Sequence, residues 1–314
     1  MGMNTSIGWT HHTLNLWWGC VHHSPACDSC YAEAGAHHRL PPGWVVIGEG
    51  RSIPRRTRRG DPDRPEIWGA DAPRIFPPDD SPALTEPARW NRAAATAGQR
   101  HRVFVSSMCD VFERHRLAEV NHMMDCKRAR FFTEIVPNCL SLDFLLLTKR
   151  PHDILRLVPS SWHENWPSNA WVGTTVEDQQ RAEQRLPHLL AIPAPVRFIS
   201  AEPLLGPIDV GPWIAGLDWV IAGGESGPRA RPSQVDWVRS LRDQTKAANK
   251  VFFFKQWGNW APSTGAAGPL ARLRTKDSRT LDGRTWDEVP TARVTRPTVV
   301  RDNVPHDDNS EMDS

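Results

Sequence analysis

Six short apolar runs constrain this chain's fold more than any other feature: 102-RVFVSS-107, 143-DFLLLT-148, 170-AWVGTT-175, 196-VRFISA-201, 218-DWVIAG-223 and 250-KVFFFK-255. Their apolar residues are mostly continuous, which suits strands covered on both faces; a half-exposed hairpin would alternate apolar with polar. Between them lie helix-forming stretches at 115–136, 177–192 and 233–249. Strand, helix, strand is the signature of an α/β fold with a parallel sheet. A further short apolar stretch, Ile7 to Trp9, precedes the series. About six parallel strands fall short of a closed eight-stranded barrel, so the expected architecture is a partial (β/α) TIM-like barrel, with a doubly wound sheet as the alternative.

The 314 residues fit one barrel-type domain. Residues 1–260 are assigned to the barrel, with a Pro/Arg-rich irregular insertion at 41–90. Residues 261–314 read as an irregular extension, its last dozen, 303-NVPHDDNSEMDS-314, disordered. No run approaches the ~18 consecutive apolar residues of a membrane span, and the N-terminus has no basic-then-apolar leader, so the expected location is the cytoplasm. With 38 basic against 36 acidic side chains, global charge attracts neither nucleic acid nor membrane. Arg51, Arg55, Arg56, Arg58, Arg59 and Arg64 form a local basic segment, either a solvated loop or a phosphate-contacting face.

Each run ends in polar or glycine residues: Ser107 and Asp110; Thr148, Lys149 and Arg150; Thr174, Thr175 and Glu177; Glu202; Gly223, Gly224, Glu225 and Ser226; Lys255 and Gln256. In parallel α/β folds the C-terminal strand ends form the active-site face, so these groups should meet on one rim. Helix capping is the competing explanation for Thr175 and Ser226.

The six cysteines are Cys20, Cys27, Cys30, Cys109, Cys126 and Cys139. The first three form C-x6-C-x2-C, a spacing that lets thiolates converge on metal rather than pair as a disulfide framework. A structural zinc would need a fourth ligand, for which His11, His12, His22, His23, His37 and His38 are available. A four-iron cluster would need only the three cysteines if one iron stays open to a substrate or cofactor. Spacing alone leaves both open, with a chance cluster that binds no metal as the third reading.

The ordered blocks WWGCVHHSPACDSCYAE (17–33), VFVSSMCDVF (103–112), FLLLTKRP (144–151), WVGTTVED (171–178), RFISAEPLLGPI (197–208), DWVIAGGESGPRARP (218–232) and FFFKQWG (252–258) carry a resemblance. With a short match at 281–290, they resemble the phage-associated three-Cys-motif family of bacteria and phages, regarded as related to radical SAM enzymes. That resemblance implies a [4Fe-4S] cluster on Cys20, Cys27 and Cys30, with the fourth iron chelating S-adenosylmethionine (SAM). It also implies a reductant protein as partner, and a 5′-deoxyadenosyl radical held in a water-poor barrel mouth.

Two departures from the common radical SAM pattern stand out: the first gap is six residues rather than three, and Ser29 occupies a usually aromatic position. Tyr31, one place after the last cysteine, is then the candidate to pack against adenine. Gly223 and Gly224 permit close backbone approach to a cofactor, or simply make a tight turn. Glu225 is a candidate acceptor for an amino group or ribose, and Asp110 and Glu202 for positioning SAM or substrate. Cys109 is a candidate hydrogen-atom donor. Lys149, Arg150 and Lys255, with Arg229 and Arg231, form a basic set suited to phosphate or carboxylate. The expected substrate class is a nucleic-acid base, nucleotide or nucleoside. The competing expectations are a zinc-stabilised nucleic-acid-binding protein without redox chemistry and a non-catalytic partner subunit.

Overall fold

The computed structural model describes residues 5, 7–36, 40–48, 51–52, 64–262, 270–272 and 278–291. Seven parallel strands form its main sheet: β1 (His12–Leu14), β2 (His101–Val105), β3 (Leu142–Thr148), β4 (Ala170–Thr175), β5 (Arg197–Ala201), β6 (Trp219–Gly223) and β7 (Val251–Gln256). They lie side by side in chain order. A doubly wound sheet reverses its order at a switch point; this one does not, and its topology is that of a partial barrel. The seventh strand, beyond the six runs, is β1. The Ile7–Trp9 stretch is instead a turn, closed by the Thr10 N–H on the Ile7 carbonyl at 3.1 Å. Three residues are too few to show a period, and β1 is a strand because His12, Thr13 and Leu14 pair with Val103, Phe104 and Val105.

Alternation along the strands sends successive side chains to opposite faces. Val103, Val105, Phe144, Leu146, Val172, Ile199, Val220, Phe252 and Phe254 share a core with the covering helices. Those helices are α2 (Pro82–Thr96), α3 (Ala118–Arg130), α4 (Gln179–Leu190) and α5 (Val235–Ala247), while a short α1 (Tyr31–Ala36) follows the cysteine cluster. The helical stretch expected at 115–136 is α3 continued through a wider turn at Phe131–Ile135. Asp178 caps α4 by accepting from the Arg181 N–H at 2.9 Å.

The opposite face builds a second core from Phe104, Leu145, Trp171, Phe198, Trp219, Ile221 and Phe253, plugged by Trp9. Trp219 stands edge-on to Trp9, Trp171 and Phe253, with ring centroids 6.4, 6.4 and 6.1 Å apart. Aromatic rings thus fill the bore below the rim, where edge-to-face pairs add to the area buried. Gly173 makes this possible: a Cβ there would lie 2.4 Å from the Phe198 ring.

Two expected irregular regions contain regular structure. Within 41–90, Val45–Ile47, Arg51–Ser52 and Arg74–Phe76 form a small antiparallel sheet. It is tied to the segment after β1 by reciprocal Trp18–Ile75 backbone bonds of 2.9 and 3.1 Å. The prolines masked the start of α2, where Pro82 occupies the first turn behind the Ser81 cap, a position whose missing N–H costs nothing. In the C-terminal extension, residues 278–288 cover the outer edge of β7: the Phe254 N–H donates to Trp286 O at 2.8 Å and the Trp257 N–H to Ser278 O at 3.0 Å. An otherwise open strand edge is paired in this way. Arg55, Arg56, Arg58, Arg59 and the final dozen residues lie outside the described residues. Among the described residues no helix is long and apolar enough to cross a membrane.

Candidate functional site

A cavity of about 480 Å³ opens at the C-terminal ends of the strands. Its lining takes Cys20, Cys27, Cys30 and Tyr31 from the segment after β1, Cys109 and Asp110 from after β2, and Lys149 and Arg150 from after β3. Glu202, Gly224, Glu225 and Lys255 complete the opposite wall, and Trp9, Phe104 and Leu147 also line it. Of the residues expected at the site from sequence, Gly223, Thr174, Glu177, Arg229 and Arg231 do not line this cavity.

The cysteine segment is held from several sides. Gly19 (φ 108°) lies so close to Ile67 that a Cβ would sit 2.4 Å from its carbonyl oxygen. The Gly69 N–H donates to Cys20 O at 3.0 Å. Cys27 ends a one-turn helix, Pro25–Cys27, and its Sγ accepts from the His23 N–H at 3.5 Å. Cys30 directly precedes α1, and the Tyr31 hydroxyl donates to Ser107 O at 3.0 Å. All six cysteines are free thiols. Burial pushes the Cys20 thiol well up, and the Cys30 thiol up as well.

Asp110 organises the rim between β2 and β3. It accepts from the Thr148 hydroxyl at 2.7 Å, the Phe112 N–H at 3.0 Å, the Lys149 N–H at 3.1 Å and Arg150 Nη1 at 2.9 Å. Burial alone would raise its carboxyl, but Arg150 and these donors hold it below the usual range. Arg150 Nη2 donates onward to Val21 O at 3.2 Å, joining this network to the cysteine segment. Asp110 is therefore saturated, a positioning group rather than a free acid or base. Lys149 differs: among the described residues its ammonium has no hydrogen-bond or ion-pair partner. Burial alone would lower it, yet Cys27, Cys30, Glu177 and Asp110 hold it above its ordinary value. Glu177 is itself fully buried against Arg185 at 2.7 Å.

Several expected roles change. Gly224 lacks a side chain because a Cβ would lie 2.0 Å from Trp257 O, and Gly223 leaves room for the Glu202 side chain. Close packing requires both glycines, and Gly224 also lines the cavity. Glu225 is engaged by Arg231, and Glu202 pairs with Lys255. Burial pushes the Cys109 thiol up, so it keeps its proton. Of the six histidines considered as a fourth metal ligand, His23 stays on the cysteine segment, its ring 6.4 Å from that of His152, while His11 and His12 lie at the opposite end of β1, beside His101. His22 bonds Glu33 at 2.8 Å, and His37 and His38 lie outside the described residues.

Sequence reasoning missed Ser200, which reaches the cavity because it follows Phe198 by two on β5, and Ser106, whose φ of 66° is rare for serine. The inward parity of Phe198 is the signal that would have found Ser200. Arg279 also lines the cavity from the C-terminal segment, and nothing local in the sequence marks it.

Among the described residues no three His, Cys, Asp or Glu side chains converge closely enough to hold one ion. Cys20, Cys27 and Cys30 line one cavity together with Lys149, whose ammonium has no partner among the described residues, and these are the side chains available to hold a metal or an iron–sulfur group.

Fold and site together define a singly wound partial β/α barrel with a three-cysteine cavity at its C-terminal rim. A family model described as a protein of unknown function, DUF5131, matches residues 4–290, and the chain belongs to that family. No curated protein and no solved structure matches it.

Proposed function

We propose that this chain is a radical SAM-type iron–sulfur enzyme acting on a nucleic-acid base, nucleotide or nucleoside. The observation that carries the reading is that Cys20, Cys27 and Cys30 line one cavity with Lys149, which has no partner among the described residues, at the strand ends of a partial barrel. The three cysteines would hold a [4Fe-4S] cluster, which when bound supplies the electron for reductive cleavage of SAM. Lys149 offsets negative charge beside Cys27 and Cys30. The Asp110–Arg150 pair fixes the cysteine segment through Val21 O. The aromatic floor keeps water from beneath the reacting groups. Cys109 retains its S–H, the form from which a thiol gives a hydrogen atom to a carbon radical; the reductant partner would then return an electron and a proton to its sulfur. Lys149, which has no ion-pair partner among the described residues, favours a substrate carrying phosphate or carboxylate, while Lys255 and Arg279 are held by Glu202 and Asp287.

Protein purified without oxygen is expected to be brown, with ~4 irons per chain as three cysteine ligands and one open iron require. The reduced protein should convert added SAM to 5′-deoxyadenosine, and Cys27→Ala should abolish both while the chain stays folded. A colourless protein with one zinc and no SAM cleavage would replace this reading with a structural metal site.

A further inference from the structure

We infer that residues 225–231, the loop after β6, act as a strap that shapes the cysteine segment, with Arg231 as its positioning residue. This assigns a role within the proposed iron–sulfur site and so rests on that reading, but the contacts themselves do not. Arg231 meets the buried Glu225 twice, Nε to Oε2 at 2.9 Å and Nη2 to Oε1 at 2.6 Å, while its own N–H donates to Oε2 at 2.7 Å. The same guanidinium reaches across to the cysteine segment, donating to Pro25 O at 2.8 Å and facing Asp28 Oδ2 at 3.4 Å. Arg229 adds a bond to Asp28 O at 3.0 Å, and the Ser29 hydroxyl returns one to Arg229 O at 3.4 Å. Every contact falls on the turn from Pro25 to Ser29, which sets the separation of Cys27 from Cys30.

The strap has a rigid backing, which allows it to impose a shape. The Gly224 N–H donates to Gln256 O at 2.8 Å, the Asn259 N–H to Glu225 O at 3.0 Å, the Gly227 N–H to Asn259 Oδ1 at 2.6 Å, and Trp260 Nε1 to Ala230 O at 2.7 Å. Gly258, with φ of 74°, packs so closely that a Cβ would lie 2.0 Å from Glu225 O. The ends of β6 and β7 are thus welded into one platform, and Arg231 carries its position over to a turn some two hundred residues earlier, a separation over which local sequence imposes nothing. A planar five-donor fork fits this double task, binding a carboxylate on one side and a carbonyl on the other; a lysine ammonium does not.

The test uses the full chain with Arg231→Gln, and Glu225→Gln/Arg231→Gln, which leaves no buried carboxylate orphaned. In metal-free protein, Cys27 alkylation by iodoacetamide, followed by peptide mass spectrometry, should speed up at least about tenfold in the double variant, since a buried thiol gains access. Melting temperature should change little. After iron and sulfide reconstitution, the variant should show an altered visible and EPR spectrum and faster iron loss to a chelator, and Arg231→Lys should not restore them. Alkylation and spectra equal to wild type in a folded double variant would overturn the strap. Faster alkylation with a wild-type chain that takes up no iron would uphold the strap and sink the cluster reading instead.

Discussion

At the scale of single residues, size and charge explain what the motifs alone leave open. Gly173 is required by its neighbour's ring rather than by a turn, so Gly173→Ala should cost about 1–3 kcal/mol, the range for overpacking a tight core. Urea unfolding of Gly173→Ala, Phe198→Leu and the double variant checks this: the double should lose less than the sum of the singles, because the smaller side chain removes the 2.4 Å clash. Cys20, Cys27, Cys30, Lys149 and Arg150 were legible in the sequence because each directly follows a strand or sits in a tight cysteine spacing. The pairing of Glu225 was not legible, since nothing in GGESGPRARP says whether Glu225 faces a ligand or closes on Arg231 six residues later.

At the scale of elements, β1 and β2 begin in a histidine cluster far from the cysteines. His12 stacks on Trp90 with centroids 4.4 Å apart and meets His101 at 3.1 Å, while His11 lies flat on His101 at 4.9 Å. Burial, and then neighbouring charges, lower His11 and His12 from 6.5 to about 4. Each stays neutral in the folded chain while the unfolded chain takes up a proton, so stability is full above pH 6.5 and falls as the pH drops toward 4. Urea midpoints measured across that window should decline with acidification, and His11→Gln/His12→Gln should flatten the slope. A wild-type midpoint independent of pH between those values would contradict this assignment. The cluster also explains why β1 escaped the periodicity reading: two of its neighbouring positions are polar-looking residues made apolar in behaviour by burial.

For the whole molecule, the consequential feature is how the open side of the barrel is managed. Residues 278–288 pair with the outer edge of β7, and Arg279 comes to lie beside Gly8, Phe253 and the Lys255 carbonyl. Ending the chain at residue 277 should lower the melting temperature and produce concentration-dependent aggregation, seen by light scattering, because an apolar strand edge of Phe252, Phe253 and Phe254 would lose its partner. An unchanged melting temperature and a monodisperse truncated chain would show that the edge needs no cover. The strap from β6 to the cysteine segment and the cover on β7 are both long-range contacts, and both converge on the same rim.

The parallel β/α repeat, the three long covering helices, and the gathering of the cysteines with most of the polar strand ends on one rim were legible in the amino-acid sequence. These follow from periodicity and chain order, which are local properties. Contacts between distant parts of the folded chain set the seventh strand, the helix hidden among prolines, the saturation of Asp110, the close packing around Gly223 and Gly224, and the arrival of Ser200 and Arg279 in the cavity. Each depends on which distant group occupies the neighbouring space, and hydrogen-bond pairing and close packing are set by that neighbour, not by the residue alone.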